Sequence, residues 1–150
     1  MPLWFESYAT SGNLKGRLPL APEATNEPES ARFLSFEGIT QKGWFVFVDQ
    51  TYLYRRNATL ATLCNVRALL VDGNGPRLIR SIDLAAGKQT STTVELLADR
   101  DILVQVLGDL DLPTMRTRAQ NHTLTTRLVS LTDGRELWRH NEKVIIRKVD

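Results

Sequence analysis

Short runs of aromatic and β-branched residues recur along this chain about every 8–12 residues, and each is closed by glycine, proline, asparagine or aspartate. That rhythm leaves little room for long helices and requires a chain that turns back on itself repeatedly. Phe33, Phe36 and Ile39, then Trp44 to Val48, then Thr51 to Tyr54 are such runs, split by Gly38 and Gly43. Leu69-Leu70-Val71 and Arg77-Leu78-Ile79 flank Asp72-Gly73-Asn74-Gly75-Pro76, a hairpin around a glycine turn. Thr90 to Leu97 and Ile102 to Leu107 follow, the second expected to stop at Gly108. Leu124 to Leu131 pairs with Glu136 to Trp138 through Thr132-Asp133-Gly134-Arg135, and Val144 to Val149 closes the chain. The pattern predicts a mainly β protein, an antiparallel β-sandwich or small barrel. Val46, Leu70, Val104 and Val129 are its expected core.

One segment reads two ways. Between Asn57 and Val71, the residues Leu60, Leu63, Cys64, Arg67 and Leu70 fall at helical spacing. Thr59, Thr62 and Val66 favour extension, and the neighbouring strands need a partner. The strand reading is preferred.

Residues 1–30 look different from residues 31–150, which form the expected β domain. Pro2, Pro19, Pro22 and Pro28, with Gly12 and Gly16, punctuate the first stretch too often for a long helix or a central strand. Ala21 to Ser30 has the small, acidic, proline-bearing composition of a linker. The expectation is an extended N-terminal arm without regular hydrogen-bonded structure. Leu3, Trp4, Phe5 and Tyr8 crowd its start, and large apolar groups of this kind serve as partner-binding anchors. The arm is therefore expected to bind rather than to fold.

At 150 residues the chain suits one domain with an ordinary core. Cys64 is its single cysteine, so no internal disulfide forms, and in its apolar run it reads as a small buried hydrophobe. The first residues show no basic start followed by an apolar run, and no stretch reaches the ~18 apolar residues of a membrane span. A protein made in the cytoplasm, with no membrane association, is expected. Asn57-Ala58-Thr59 and Asn121-His122-Thr123 match the glycosylation pattern, but in such a compartment both are chance matches.

Groups able to carry chemistry are few. His122 and His140 sit on the two sides of the C-terminal hairpin, without the spacing of a metal site, and read as surface groups. No Gly-x-Ser-x-Gly elbow occurs. Asp72 to Pro76 lacks the lysine and hydroxyl of a phosphate-binding loop. Asp99, Asp101, Asp109 and Asp111 bracket one strand and read as solubilising turn residues rather than calcium ligands. No enzyme, no cofactor and no metal is expected.

The net charge of +2 hides an asymmetry: residues 1–30 are net −2, residues 31–115 balance, and residues 116–150 are net +4. Arg116, Arg118, Arg127, Arg135, Arg139, Arg147 and Lys148 would make a basic stripe, with Trp138 or Tyr54 to stack bases. Glu136 and Glu142 interrupt it, as on an ordinary solvated sheet face, so nucleic acid is not the expected partner.

No family pattern covers the chain. Its layout, an arm with apolar anchors ahead of a compact β domain, resembles the capsid cement and tail proteins of bacterial viruses. The resemblance implies a non-enzymatic virion component, either capsid cement or decoration or a tail or neck protein. Such a protein is made in the cytoplasm and assembled into a virion, where it docks as a homo-oligomer on a major capsid or other virion protein. Two alternatives stay open. One is a small-ligand or lipid-binding β-barrel, with Trp44, Phe45, Phe47, Tyr52 and Tyr54 around a cavity. The other is a nucleic-acid-binding β domain using the basic C-terminal region.

Overall fold

A computed structural model describes residues 4–20, 30–53, 62–84, 91–110 and 119–147. Ten strands account for most of them: β1 Trp4–Tyr8, β2 Leu14–Pro19, β3 Ser30–Ile39, β4 Trp44–Leu53, β5 Thr62–Asp72, β6 Arg77–Asp83, β7 Ser91–Leu97, β8 Ile102–Leu110, β9 Ala119–Ser130 and β10 Glu136–Arg147. A single 3-10 turn, Ala98–Arg100, is the one helical element among the described residues. None of their helices is long and apolar enough to cross a membrane.

The strands form three antiparallel sheets, in the orders β1-β2, β3-β4-β5-β6 and β10-β9-β8-β7. Each four-stranded sheet is an antiparallel meander in which strands successive in sequence are neighbours. The fold is mainly β and sandwich-like, and the described residues form no closed barrel.

The two larger sheets share one core. Val46 and Val48 of β4, Val66, Ala68 and Leu70 of β5, and Ile82 of β6 meet Leu103 of β8 and Val129 of β9, with Leu84 and Leu131 sealing the cluster. A side chain such as Leu70, fully withdrawn from water, contributes about 1.5–3 kcal/mol. Three of the four expected core residues, Val46, Leu70 and Val129, are completely buried. Val104 is the exception. It is only half-buried, because β8 turns Leu103, Gln105 and Leu107 inward and leaves Ile102, Val104 and Val106 on the outside.

Gln105 takes the place in the core that Val104 was expected to fill. Its amide nitrogen donates to the Leu84 carbonyl at 2.8 Å and to Thr92 Oγ1 at 3.2 Å, and its oxygen accepts from Arg127 Nη1 at 3.1 Å. With these bonds made, a buried amide costs little.

The strand reading of Asn57–Val71 is right where the chain is described: β5 begins at Thr62 and pairs with β4 through Asp72. The hairpin around Asp72–Pro76 is β5–β6. β8 runs through Gly108, which pairs with Ser91 and Leu124, rather than stopping there. β10 is one twelve-residue strand in which Glu136–Trp138 and Val144–Arg147 are continuous. Residues 21–29, Tyr54, Asn57, Asp111, Arg116, Arg118 and Lys148 lie outside the described residues.

Residues 4–19 are not without regular structure. β1 and β2 form a hairpin about the turn Ala9–Asn13, where Gly12 sits at φ 88° and its N–H donates to the Ala9 carbonyl at 2.8 Å. This hairpin lies on the outer face of the β3–β6 sheet. Phe5, Leu18 and Leu20 pack there against Leu34, Phe45, Phe47, Leu69 and Val71. Ser7 Oγ donates to the Gly73 carbonyl at 2.9 Å, and a Cβ on Gly16 would come within 2.8 Å of the Pro76 ring. Glycine at position 16 is what lets the hairpin approach the β5–β6 turn.

Candidate docking site on the N-terminal hairpin

Alternation along a strand gives the hairpin two unlike sides. Phe5 faces the domain, with its ring 5.3 Å from Phe45 and 5.8 Å from Phe47, centroid to centroid. Trp4 and Tyr8 face away and remain 48% and 56% exposed. Leu3 lies outside the described residues. The four expected partner-binding residues are thus divided: Phe5 anchors the hairpin to its own sheet, while Trp4 and Tyr8 are free to meet something else.

Two residues missed by sequence reasoning complete the outward side. Arg17 stands opposite Glu6 across the hairpin and bonds it, Nη2 to Oε1, at 2.9 Å. Its guanidinium also lies 5.4 Å from the centre of the Trp4 ring, a cation–π contact. The Tyr8 hydroxyl donates to the other oxygen of Glu6. That hydrogen bond to the carboxylate, aided by some burial, pushes the Tyr8 phenol above its ordinary range. Trp4, Arg17, Glu6 and Tyr8 therefore form one linked row. The turn-forming Thr10-Ser11-Gly12-Asn13 was the signal that places Arg17 beside Glu6.

Tryptophan, tyrosine and arginine are the side chains that most often dominate protein interfaces. Held in register by a hairpin, they have less conformational entropy left to lose on binding than they would on a free arm. The arrangement offers flat apolar area with a fork of donors beside it. It has no paired nucleophile and base.

Beyond the hairpin, the same outer sheet face carries Asp49, completely buried between two arginines. Arg32 Nε donates to Oδ1 at 2.6 Å and Arg67 Nη2 to Oδ2 at 2.8 Å. Burial alone would push this carboxyl up, but the hydrogen bonds from Arg32 and Arg67 outweigh it and hold the group below the usual carboxylate range. Adjacent strands supply the three residues, so the cluster ties β3, β4 and β5 together.

Among the described residues the remaining candidates are not assembled into sites. His140 pairs with Thr126 and His122 with Val144, which separates the two positions by four residues along the strands, roughly 13 Å. The His140 ring instead stacks on Trp138 at 5.8 Å. Asp101 accepts from the Gln41 backbone N–H at 3.2 Å and so pins the β3–β4 turn. Among the described residues no group of three histidine, cysteine, aspartate or glutamate side chains could hold a metal.

Two members of the basic stripe are engaged within the domain. Arg127 points inward to Gln105 and to Glu136 Oε1, the latter at 2.7 Å, and Arg139 bonds the same Glu136 oxygen at 2.9 Å. The aromatic lining of the barrel alternative is split as well. Trp44 and Tyr52 pack on the inner core, whereas Phe45 and Phe47 pack on the outer face under the hairpin.

No protein family, no curated protein and no solved structure matches this chain.

Proposed function

We propose that this chain is a non-enzymatic structural protein that acts by docking on another protein, and that the outward row Trp4, Glu6, Tyr8 and Arg17 is its contact surface. The observation that carries the reading is the two-sided hairpin, with Phe5 packed on its own sheet and Trp4 and Tyr8 exposed. The architectural likeness to cement, tail and neck proteins of bacterial viruses makes a virion the proposed setting and a capsid or other virion protein the proposed partner.

Particles purified from cells producing the chain test this reading. The wild-type protein is expected to co-purify with them at a fixed stoichiometry. A Trp4→Ala/Tyr8→Ala variant, folded as judged by circular dichroism, is expected to remain in the soluble fraction. Loss of a single tryptophan anchor should weaken docking by at least about 2 kcal/mol. A folded double variant that still co-purifies fully, or a wild-type chain absent from every particle, contradicts the proposal.

A further inference from the structure

β10 is an edge strand of the β7–β10 sheet, as β3 is of the β3–β6 sheet. Among the described residues β10 pairs only with β9, and like β3 it contributes no residue to the shared core. From Glu136 to Ile145 every side chain is exposed except the half-buried Val144. Three of the exposed side chains are large and apolar: Leu137 (43%), Trp138 (49%) and Ile145 (58%). A long edge strand with apolar side chains is a template for another strand, and proteins normally shorten, cover or charge such edges.

The order of residues along β10 indicates which strand fits. About Asn141 the sequence is symmetric in character: His140 and Glu142 are polar, Arg139 and Lys143 basic, Trp138 and Val144 apolar, Leu137 and Ile145 apolar. Antiparallel pairing of a strand with its own copy places residue 141 − k opposite residue 141 + k, on the same side of the sheet. Centred on Asn141, such pairing sets Trp138 against Val144 and His140 against Glu142 on the outer side. The regular pairing ends at Trp138, because Leu137 sits at an irregularity of the β9–β10 register. The two-fold axis makes every such pair occur twice in the dimer.

The one unfavourable match is Arg139 opposite Lys143. Arg139 bonds Glu136 at 2.9 Å but shares that carboxylate with Arg127, so Lys143 meets a cation that is only partly neutralised.

We propose that β10 is a homodimer interface, joining the β7–β10 sheets of two copies edge to edge across a two-fold axis at Asn141. The partner is a second copy of this chain, and the continuous sheet would have eight strands. This surface shares no residue with the N-terminal hairpin, so each of the two proposals can fail without the other.

Sedimentation of the full chain gives the first reading, with a dimer expected at micromolar concentration. Ile145→Lys should raise the dissociation constant by about tenfold or more, as loss of an interface anchor does. Circular dichroism should stay unchanged, because β10 is outside the core. Cysteine cross-linking in a Cys64→Ser background then fixes the register. The two copies of residue 141 should lie about 4.5–5.5 Å apart, close enough for Asn141→Cys to form a disulfide-linked dimer under mild oxidation. Two copies of Lys143→Cys should be roughly 13 Å apart and remain unlinked. A chain that is monomeric throughout overturns the proposal. So does a dimer that ignores Ile145→Lys, or one that cross-links as well at position 143 as at 141.

Discussion

The hairpins at the two ends of this molecule use similar local chemistry to opposite effect. β1–β2 is short, carries glycine and proline, and turns one apolar side onto the β3–β6 sheet, where Phe5, Leu18 and Leu20 find a second apolar surface. β9–β10 is twice as long, yet its last strand extends a sheet without covering anything. The outer faces of the two sheets differ in the same way. One bears Phe45, Phe47, Leu69 and Val71 beneath the hairpin, while the other presents Ile102, Val104, Val106 and Leu128 half-buried. Whether a segment folds with the domain or is left to bind depends on which of its faces finds an apolar complement. Its content of breaker residues does not decide this.

The largest effect should come from the interior that both regions depend on. Leu70→Ala should cost roughly 2–5 kcal/mol, read from the denaturant midpoint at unchanged slope. A loss below about 0.5 kcal/mol would mean that the shared core is wrongly identified.

Asp49 sharpens the contrast on the covered face. Asp49→Asn removes the charge from bonds to Arg32 and Arg67 and should cost on the order of 1.5–3 kcal/mol at neutral pH. Because its folded-state carboxyl titrates below the unfolded one, its contribution is fully present above the unfolded value near 4. That contribution fades as pH falls through the folded value. The difference in stability between wild type and Asp49→Asn should therefore shrink below about pH 4. A difference that instead grows on acidification would reverse the assignment.

The smallest effect should be at the free edge. Trp138→Ala should change the stability of the monomer by less than about 0.5 kcal/mol, as expected for an exposed position. Measuring it well below the dimer dissociation constant separates folding from association. A cost like that of Leu70→Ala would show that β10 belongs to the core.

Much of this contrast was legible in the sequence, and the failures have physical causes. The Asp72–Pro76 hairpin could be read because its turn residues have one structural use. Val104 was misplaced because a glutamine in an apolar run reads as solvent-facing, whereas Gln105 is buried with hydrogen bonds to Leu84, Thr92 and Arg127. Once Gln105 points inward, strand alternation sends Val104 out. Gly12 and Gly16 were read as breakers. One supplies the positive φ of a turn, and the other opens room for Pro76. β10 was read as two pieces because an exposed edge strand has no alternation between Arg139 and Lys143. Of the docking row, Trp4 and Tyr8 were visible as aromatics. Glu6 and Arg17 needed the hairpin register to become neighbours.

The two-sidedness of the N-terminal hairpin is the centre of this account, and a matched pair of variants tests it most directly. Equilibrium unfolding of Phe5→Ala and Trp4→Ala in the full chain compares adjacent aromatics on opposite sides of one strand. Phe5→Ala should lose about 1–2 kcal/mol, part of the value of a fully buried phenylalanine. Trp4→Ala should stay within about 0.5 kcal/mol of wild type. Equal losses, or a larger loss at Trp4, would contradict a hairpin that is anchored by one face and open for docking on the other.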